Sequence, residues 1–342
     1  MVVRKTLPAL IAGLLAVGTY NSALAVENDE LDAPLGVWGL DSAILPLSGF
    51  YGQIIGGHYE AKSVKDASGN NEQFSTVLPL APGGLTVNGT VDAKIITNVV
   101  VPKFVFISDD VFLGGHAGAY LAIPLVDKSR EVNVAVTTAL PAPYPSVIGA
   151  AASQAASGKQ RGVGDVELTS FIGWKQDELS IVAAFNIDMP TGKFDKTSQV
   201  NLGTNYYSFR PLVSLAYSTE SGFDVASALS YNVSTVNKDT SYKSGQYLTF
   251  EYAGTYQFSG NFKAGLQGYY LDQTKDDQDP NNTAAMPIVN GNKARATSIG
   301  PIASWQSDDL RTKVEFKYLA ESGARARPQG DLVLLTVSRQ FF

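Results

Sequence analysis

The chain has 342 residues, a formal net charge of -6 and a mean hydropathy near zero; it contains 32 Gly and 16 Tyr but only three Met, two His and no Cys. An acidic chain of this kind lacks the basic face that nucleic acid demands, so nucleic acid is excluded as a partner. The absence of cysteine excludes a disulfide scaffold but not export, because a large closed sheet holds itself by hydrogen bonds.

Residues 1–25 have the order of a secretory signal peptide. Arg4 and Lys5 precede an apolar run from Leu7 to Gly18, Ala23-Leu24-Ala25 forms a small-residue cleavage signature, and the acids Glu27, Asp29 and Glu30 follow. Cleavage is expected after Ala25, leaving a mature charge of -8. The apolar run is too short to cross about 30 Å of hydrocarbon, and no later stretch is long and uncharged enough for a spanning helix. Residues 26–49, irregular and punctuated by Pro34 and Pro46, are expected to be either a periplasmic tail or a plug in the lumen of the domain that follows.

From residue 50 onward the hydropathy alternates with a period of two, which is the pattern of strands with one face apolar. Tyr207, Phe209, Pro211, Val213, Leu215 and Tyr217 share one face, against Ser208, Arg210, Ser214, Ala216 and Ser218. After Thr219-Glu220-Ser221-Gly222 the apolar face resumes with Phe223, Val225, Leu229, Tyr231 and Val233. The same hairpin recurs around Leu248–Phe258 and Phe262–Tyr270, and single strands of this type are visible at Leu179–Asp188 and Leu310–Ala320. Segments of about ten residues or more, apolar on one face and polar on the other, with aromatics near both ends, point to a transmembrane β-barrel. Strands of a soluble sandwich are shorter, around five or six residues.

The links between segments fall into two alternating classes. Short ones are expected at Ser108-Asp109-Asp110, 175–177, 219–221, 259–260 and 307–308, and long ones at roughly 65–88, 126–161, 190–205, 236–243, 274–293 and 322–329. Short periplasmic turns and longer extracellular loops are the habit of bacterial barrels. The count gives an all-β, antiparallel barrel of twelve strands, within a range of ten to fourteen, over residues 50–342, with both ends periplasmic. Pro102 and the run Ile95–Val101 blur the period in the first strands; Val132–Thr138 reads as a loop hairpin or an extra strand segment, and Ser146–Gly158 as a short helix or a linker. The terminal Phe341-Phe342 resembles the signal read by the outer-membrane assembly machinery, which makes that machinery an expected partner of Phe342, beside outer-membrane lipid and lipopolysaccharide.

Several blocks resemble the outer-membrane family named for the MetA-pathway (meta-cleavage) of phenol degradation. They are Gly162-Val163-Gly164-Asp165-Val166-Glu167-Leu168, Pro190-Thr191-Gly192-Lys193, Tyr242-Lys243-Ser244-Gly245, Gly265-Leu266-Gln267-Gly268-Tyr269-Tyr270, Asp276-Asp277, Ile299-Gly300-Pro301 and Gln329-Gly330-Asp331. Pro34-Leu35-Gly36 and Leu47-Ser48-Gly49-Phe50-Tyr51 fit the same family. The resemblance implies an outer-membrane barrel concerned with the passage of aromatic or other hydrophobic compounds, and it brings no catalytic residue with it.

The residues themselves offer little chemistry. Only His58 and His116 could serve as a base beside a nucleophile; both are expected on inward faces, and neither is followed two residues on by the serine of outer-membrane phospholipases. Asp276, Asp277 and Asp279 are read as a solvated acidic loop in preference to a calcium site. No enzyme activity, metal or cofactor is expected. The informative set is the charged and polar residues predicted to line the lumen: Asp165, Glu167, Asn186, Asp188, Arg210, Glu251, Lys263, Arg311, Lys313, Glu315 and Lys317. Their mixed signs are compatible with an aqueous pore tuned by charge or with a narrow interior sealed by ion pairs. The expected function is passive uptake of small hydrophobic or aromatic compounds. The alternatives are a structural or surface-interaction barrel and, further off, an outer-membrane enzyme of phospholipase type.

Overall fold

The computed structural model describes residues 35–39, 42–78, 84–280 and 293–342. The expected signal peptide, its cleavage site and residues 26–34 lie outside the described residues. The elements are β1 (Gly49–Lys65), β2 (Gln73–Leu78), β3 (Leu85–Phe112), β4 (Gly115–Ala122), β5 (Leu125–Thr138), α1 (Tyr144–Ala156), β6 (Gly158–Val163), β7 (Val166–Gln176), β8 (Leu179–Met189) and β9 (Ser208–Ser218). They continue with β10 (Phe223–Ser234), β11 (Tyr247–Ser259), β12 (Phe262–Gln273), β13 (Arg295–Gln306), β14 (Thr312–Arg325) and β15 (Arg327–Gln340). Every ladder is antiparallel, and β1 pairs with β3 on one side and β15 on the other, so the sheet closes on itself. Closure removes the sheet edges, the condition for strands to sit in hydrocarbon.

Fifteen strands reduce to a wall of twelve. β4 and β5 form one wall strand broken at Ile123-Pro124, and β6 and β7 another broken at Gly164-Asp165. β2 is an accessory paired only with β3. The breaks have a common cause: Pro124 has no N–H for the ladder, and its carbonyl accepts instead from Gly164 at 2.8 Å. The dyad pattern holds. On β9 the odd residues from Pro211 to Tyr217 are exposed outward, while Arg210, Leu212, Ser214 and Ala216 are buried inward.

Three links differ from the sequence expectation. The first short turn lies at Leu113-Gly114, both at positive φ, the backbone twist that suits a two-residue hairpin turn. Ser108-Asp109-Asp110 remain in β3, around a register shift between Ile107 and Val111. The last long link does not exist as such: β14 and β15 run up to a turn at Ala326 alone. Finally, Val132–Thr138 belongs to β5, and the Ala/Ser-rich stretch is helical as α1.

β3 has 28 residues, against about ten needed to cross a membrane. Along its outward face Phe106, Phe104, Pro102, Val100 and Ile96 give way to Lys94, Asp92, Thr90 and Asn88, with Asn98 at the boundary. This change marks the outer limit of the lipid belt. Beyond it β2, β3, β5 and α1 stand clear of the barrel around a core of their own, including Val64, Phe74, Val87, Val91, Val132 and Ile148. At the opposite rim aromatic pairs form a girdle, with Phe223 and Tyr256 at 4.6 Å and Tyr256 and Phe258 at 5.1 Å between centroids. The seam lies in the same belt. Phe50 donates its N–H to the Phe342 carbonyl at 2.8 Å, and the two rings stack 5.5 Å apart.

Candidate functional site: the barrel lumen

Residues 35–39 and 42–45, which precede β1, lie inside the barrel. Backbone polar groups buried in a lumen must be paired, and inward side chains pair those of residues 36–38. Gly36 N–H donates to Glu251 Oε1 at 2.9 Å, Gln267 Nε2 donates to the Gly36 carbonyl at 2.8 Å, and Lys317 Nζ donates to the Val37 carbonyl at 3.0 Å. Gly36 itself is required, since at φ +74° its Cα approaches Leu319 and Leu332 so closely that a Cβ would meet Leu319 at 2.4 Å. Further along, Ala43 packs against Ala216, Ala226 and Ala253, and the chain leaves the lumen where Ser48 Oγ donates to the Ser108 carbonyl at 3.1 Å.

The sequence-predicted polar set divides by place. Arg210 is fully buried; Nη2 bonds Glu167, and Nη1 lies 3.5 Å from Asp188 Oδ2. The Asn186 amide, with its oxygen toward the guanidinium, accepts from Nη2 and Nε at 2.9 and 3.1 Å. Glu251 and Lys317 hold the lumen segment, and Glu315 takes Lys317 at 2.9 Å and Lys313 at 3.2 Å. Lys263 pairs with Asp224 near the short-turn rim. Asp165 is not on the wall face; at the break between β6 and β7 it accepts from Gly192 N–H at 2.8 Å and from Thr204 N–H and Oγ1 at 2.7 and 2.8 Å, clasping the loop that follows β8. Arg311 lies outside the lumen altogether. It is exposed in the turn between β13 and β14, because β14 starts at Thr312 rather than at residue 309.

Two other expectations need correction. His58 points outward, beside Asn98 at 2.7 Å, since it shares the face of Ile54 and not that of Tyr51 and Ile55; His116 shares the inward face of Tyr120 but is exposed at the rim. Asp277 is buried, accepting from Tyr242 Oη at 2.5 Å, Gly245 N–H at 2.6 Å and Gln273 Nε2 at 2.8 Å. Burial raises the Asp277 carboxyl above its ordinary range in spite of these three donors. Asp276 turns elsewhere, to Lys293 at 3.8 Å.

A second buried cluster went unpredicted: Arg327 falls in the supposed link 322–329, and Glu321 is the last residue of the strand expected before it. Glu321 accepts from Arg327 Nη2 at 2.9 Å, Tyr59 Oη at 2.9 Å, Tyr269 Oη at 2.5 Å and Gly330 N–H at 2.8 Å. Between the Glu321 and Arg210 clusters lies a cavity of about 410 Å³ on the long-loop side of the barrel, walled by apolar residues such as Ile95, Val99, Val101, Leu35 and Leu334. A smaller one of about 100 Å³ lies on the short-turn side, with Leu45, Tyr51, Ile107 and Phe171 in its wall. Trp38, Lys103 and Tyr120 line both. Lys103 Nζ sits 3.6 Å from the Tyr120 ring centroid and 5.6 Å from that of Trp38. The signal for Lys103 was available: it is the one charge in the apolar run from Ile95 to Phe106.

Comparison with solved structures shows the same fold in an outer membrane channel of the COG4313 group from Pseudomonas putida F1. The TM-score is 0.67 at 15% identity over 91% of this chain and 100% of that one. Looser likenesses include a FadL homologue from Pseudomonas aeruginosa (TM-score 0.38, 9% identity, 86% and 91% covered) and a mutant TodX monoaromatic hydrocarbon channel (0.42, 10%, 86% and 91%). Comparison with curated proteins gives no match. Residues 66–337 match the family described as the MetA-pathway of phenol degradation. That span runs from the end of β1 almost to the end of β15 and takes in the clasp at Asp165, the buried loop anchor at Asp277 and the pair of Glu321 and Arg327, so the chain belongs to this family of outer-membrane β-barrels.

Proposed function

We propose that the barrel is a passive channel for small hydrophobic or aromatic solutes, which enter from the long-loop side and leave to the periplasm down their gradient. The carrying observation is the apolar cavity of about 410 Å³ inside the lumen, between two clusters in which Arg210 pairs with Glu167 and Glu321 pairs with Arg327. Its volume falls within the range of small-molecule sites, which are mostly apolar with a few placed polar groups. Family membership supports the reading. A hydrated porin interior would hold its charges apart around water; here Arg210 and Glu321 are drawn into compact clusters, an arrangement that favours apolar cargo over ions. Residues 36–38, held by Glu251, Gln267 and Lys317, act as a gate across the path. The reading involves no catalytic step.

The test is uptake of a labelled monoaromatic compound by a strain lacking the protein, complemented with the full chain, together with planar-bilayer recording. Uptake that depends on the protein, with low ionic conductance, is expected; uptake unchanged by deletion refutes the proposal. A second reading, a surface-interaction barrel, draws on the projecting sheet and α1. Replacing residues 139–157 by a tight turn separates the two: loss of cell-surface binding with normal uptake favours the second.

A further inference from the structure

The outward face of the wall changes character between two adjacent rows of side chains. Val100, Leu125 and Val163 stand side by side on β3, β5 and β6, exposed and apolar, and belong to the lipid belt. One row nearer the long loops the same strands present Asn98, Asp127 and Arg161, and the next row presents Ile96, Ser129 and Lys159. Lys159 Nζ and Arg161 Nε each lie 3.4 Å from the single carboxylate of Asp127, and their side chains are still 67% and 81% exposed. The loop after β8 runs along the other edge of β6, where Lys193 N–H donates to the Val163 carbonyl at 3.4 Å and Gln160 Nε2 donates to Ser198 Oγ at 3.5 Å. It adds two exposed cations, Lys193 and Lys196. Its acid, Asp195, is taken up by the N–H and Oγ1 of Thr197 at 2.8 and 2.7 Å. Lys159, Arg161, Lys193 and Lys196 against Asp127 and Asp195 make this corner basic on a chain whose net charge is -6. Further round the wall the signs balance: Lys94 meets Glu60 at 3.2 Å and stands opposite Glu131.

We propose that this corner is a docking seat for a doubly phosphorylated glycolipid of the surrounding outer leaflet, the lipid A part of lipopolysaccharide. The proposal depends on the barrel standing in the outer membrane and is independent of what the lumen carries. A lipid beside this wall lays its acyl chains on Val100, Leu125 and Val163, and its headgroup then comes level with Arg161 and Lys159. Phosphate suits both groups. A guanidinium binds it through two parallel donors, and an ammonium adds a point charge. Clusters of basic side chains at a membrane surface draw anionic headgroups in the same way. A headgroup with one phosphate, as in phosphatidylglycerol, satisfies one part of the cluster. Two phosphates on one disaccharide engage Arg161 with Lys159 and Lys193 with Lys196 together. The bound headgroup then ties β6 to the loop after β8, the same loop that Asp165 clasps through Gly192 and Thr204.

The test is native mass spectrometry on the barrel purified from outer membranes in mild detergent, stripped of lipid by detergent exchange and checked for folding by heat-modifiable gel mobility. It is titrated with lipid A, with lipid A lacking one phosphate and with phosphatidylglycerol. Lipid A is expected to bind at one molecule per barrel and about tenfold or more tighter than phosphatidylglycerol, the scale of one hydrogen bond to a charged group. The singly phosphorylated form is expected to fall between them. Arg161→Gln combined with Lys159→Gln is expected to weaken lipid A by about tenfold or more and to leave phosphatidylglycerol unchanged; both side chains are exposed, so the barrel survives the change. Lys94→Gln removes an outward cation that is already matched by Glu60 and is expected to bind lipid A like wild type. Equal affinity for lipid A and phosphatidylglycerol, or no binding of either, overturns the proposal. So does wild-type affinity for lipid A in the double variant, or a loss in Lys94→Gln as large as in the double variant. Singly phosphorylated lipid A binding as tightly as the intact form overturns the assignment of two phosphates to the seat.

Discussion

Glu251→Ala is the sharpest test of the gate. The carboxylate is buried against the lumen segment, and its Oε1 accepts the Gly36 N–H at 2.9 Å. Alanine removes that acceptor and leaves a buried donor unsatisfied, while the neighbouring Gln267 and Lys317 bonds to Gly36 and Val37 remain. Leaving a buried donor unsatisfied costs about 1–3 kcal/mol. If the whole of that difference falls on the closed state, the population with residues 36–38 displaced rises about fivefold to a hundredfold. Planar-bilayer recording measures this directly, as more frequent or longer open events for ions, with the unit conductance of the widened path unchanged between variants. Glu251→Gln keeps an acceptor oxygen and is expected to fall between the two. Conductance identical in wild type and Glu251→Ala, in barrels shown to be folded, would refute the claim that this contact holds the path shut.

Arg210→Met strands Glu167 and Asp188 in a buried site; breaking a buried pair in this way costs about 3–5 kcal/mol, seen as a lower temperature of heat-modified gel mobility, and Glu167→Gln added to it is expected to recover part of the loss. For the loop anchor, burial raises the Asp277 carboxyl, so its contribution to stability is fully present below the usual carboxylate range and is lost as pH rises through the raised value. Proteolysis of the loop after β12 should therefore accelerate with rising pH in wild type, and Asp277→Asn should flatten that dependence. Phe342→Ala removes the ring stacked 5.5 Å from Phe50, a pair contributing about 0.5–1.5 kcal/mol beyond its buried area; slower assembly into the membrane is expected, and it would also test Phe342 as a contact of the assembly machinery.

The wall was legible because its rule is local. Once one face of a strand meets lipid, parity alone places every side chain, and Arg210, Glu251 and Lys317 could be assigned inward from their neighbours. Parity fails where the apolar face or the first residue of a strand is not evident from the sequence. His58 was placed on the wrong face by a first strand without a clear period, and Arg311 was counted in a strand that starts one residue later. The partners of the inward groups were not legible at all. Glu167 meets Arg210 across β8, and Gly36 meets Glu251 at a separation of 215 residues; such contacts depend on curvature and on how deeply the lumen segment penetrates. The three-way meeting of Asp165, Gly192 and Thr204 has the same character. Two of its blocks stood out as family motifs, but nothing in either shows that one carboxylate clasps the other's backbone.

The ladder between β1 and β15 has a consequence for how the molecule is made. It joins Tyr51 to Gln340 and ends with the Phe342 carbonyl on Phe50. Contacts so distant along the chain carry the largest loop-closure entropy and come late. Until they form, β1 and β15 are open edges, liable to pair with another chain. The lumen segment is tethered directly to β1 at Ser48-Gly49, so it is already at the mouth when the last ladder zips. Sealing the wall and enclosing the segment are then one event, and the nascent barrel passes from an aggregation-prone ribbon to a closed channel in a single step.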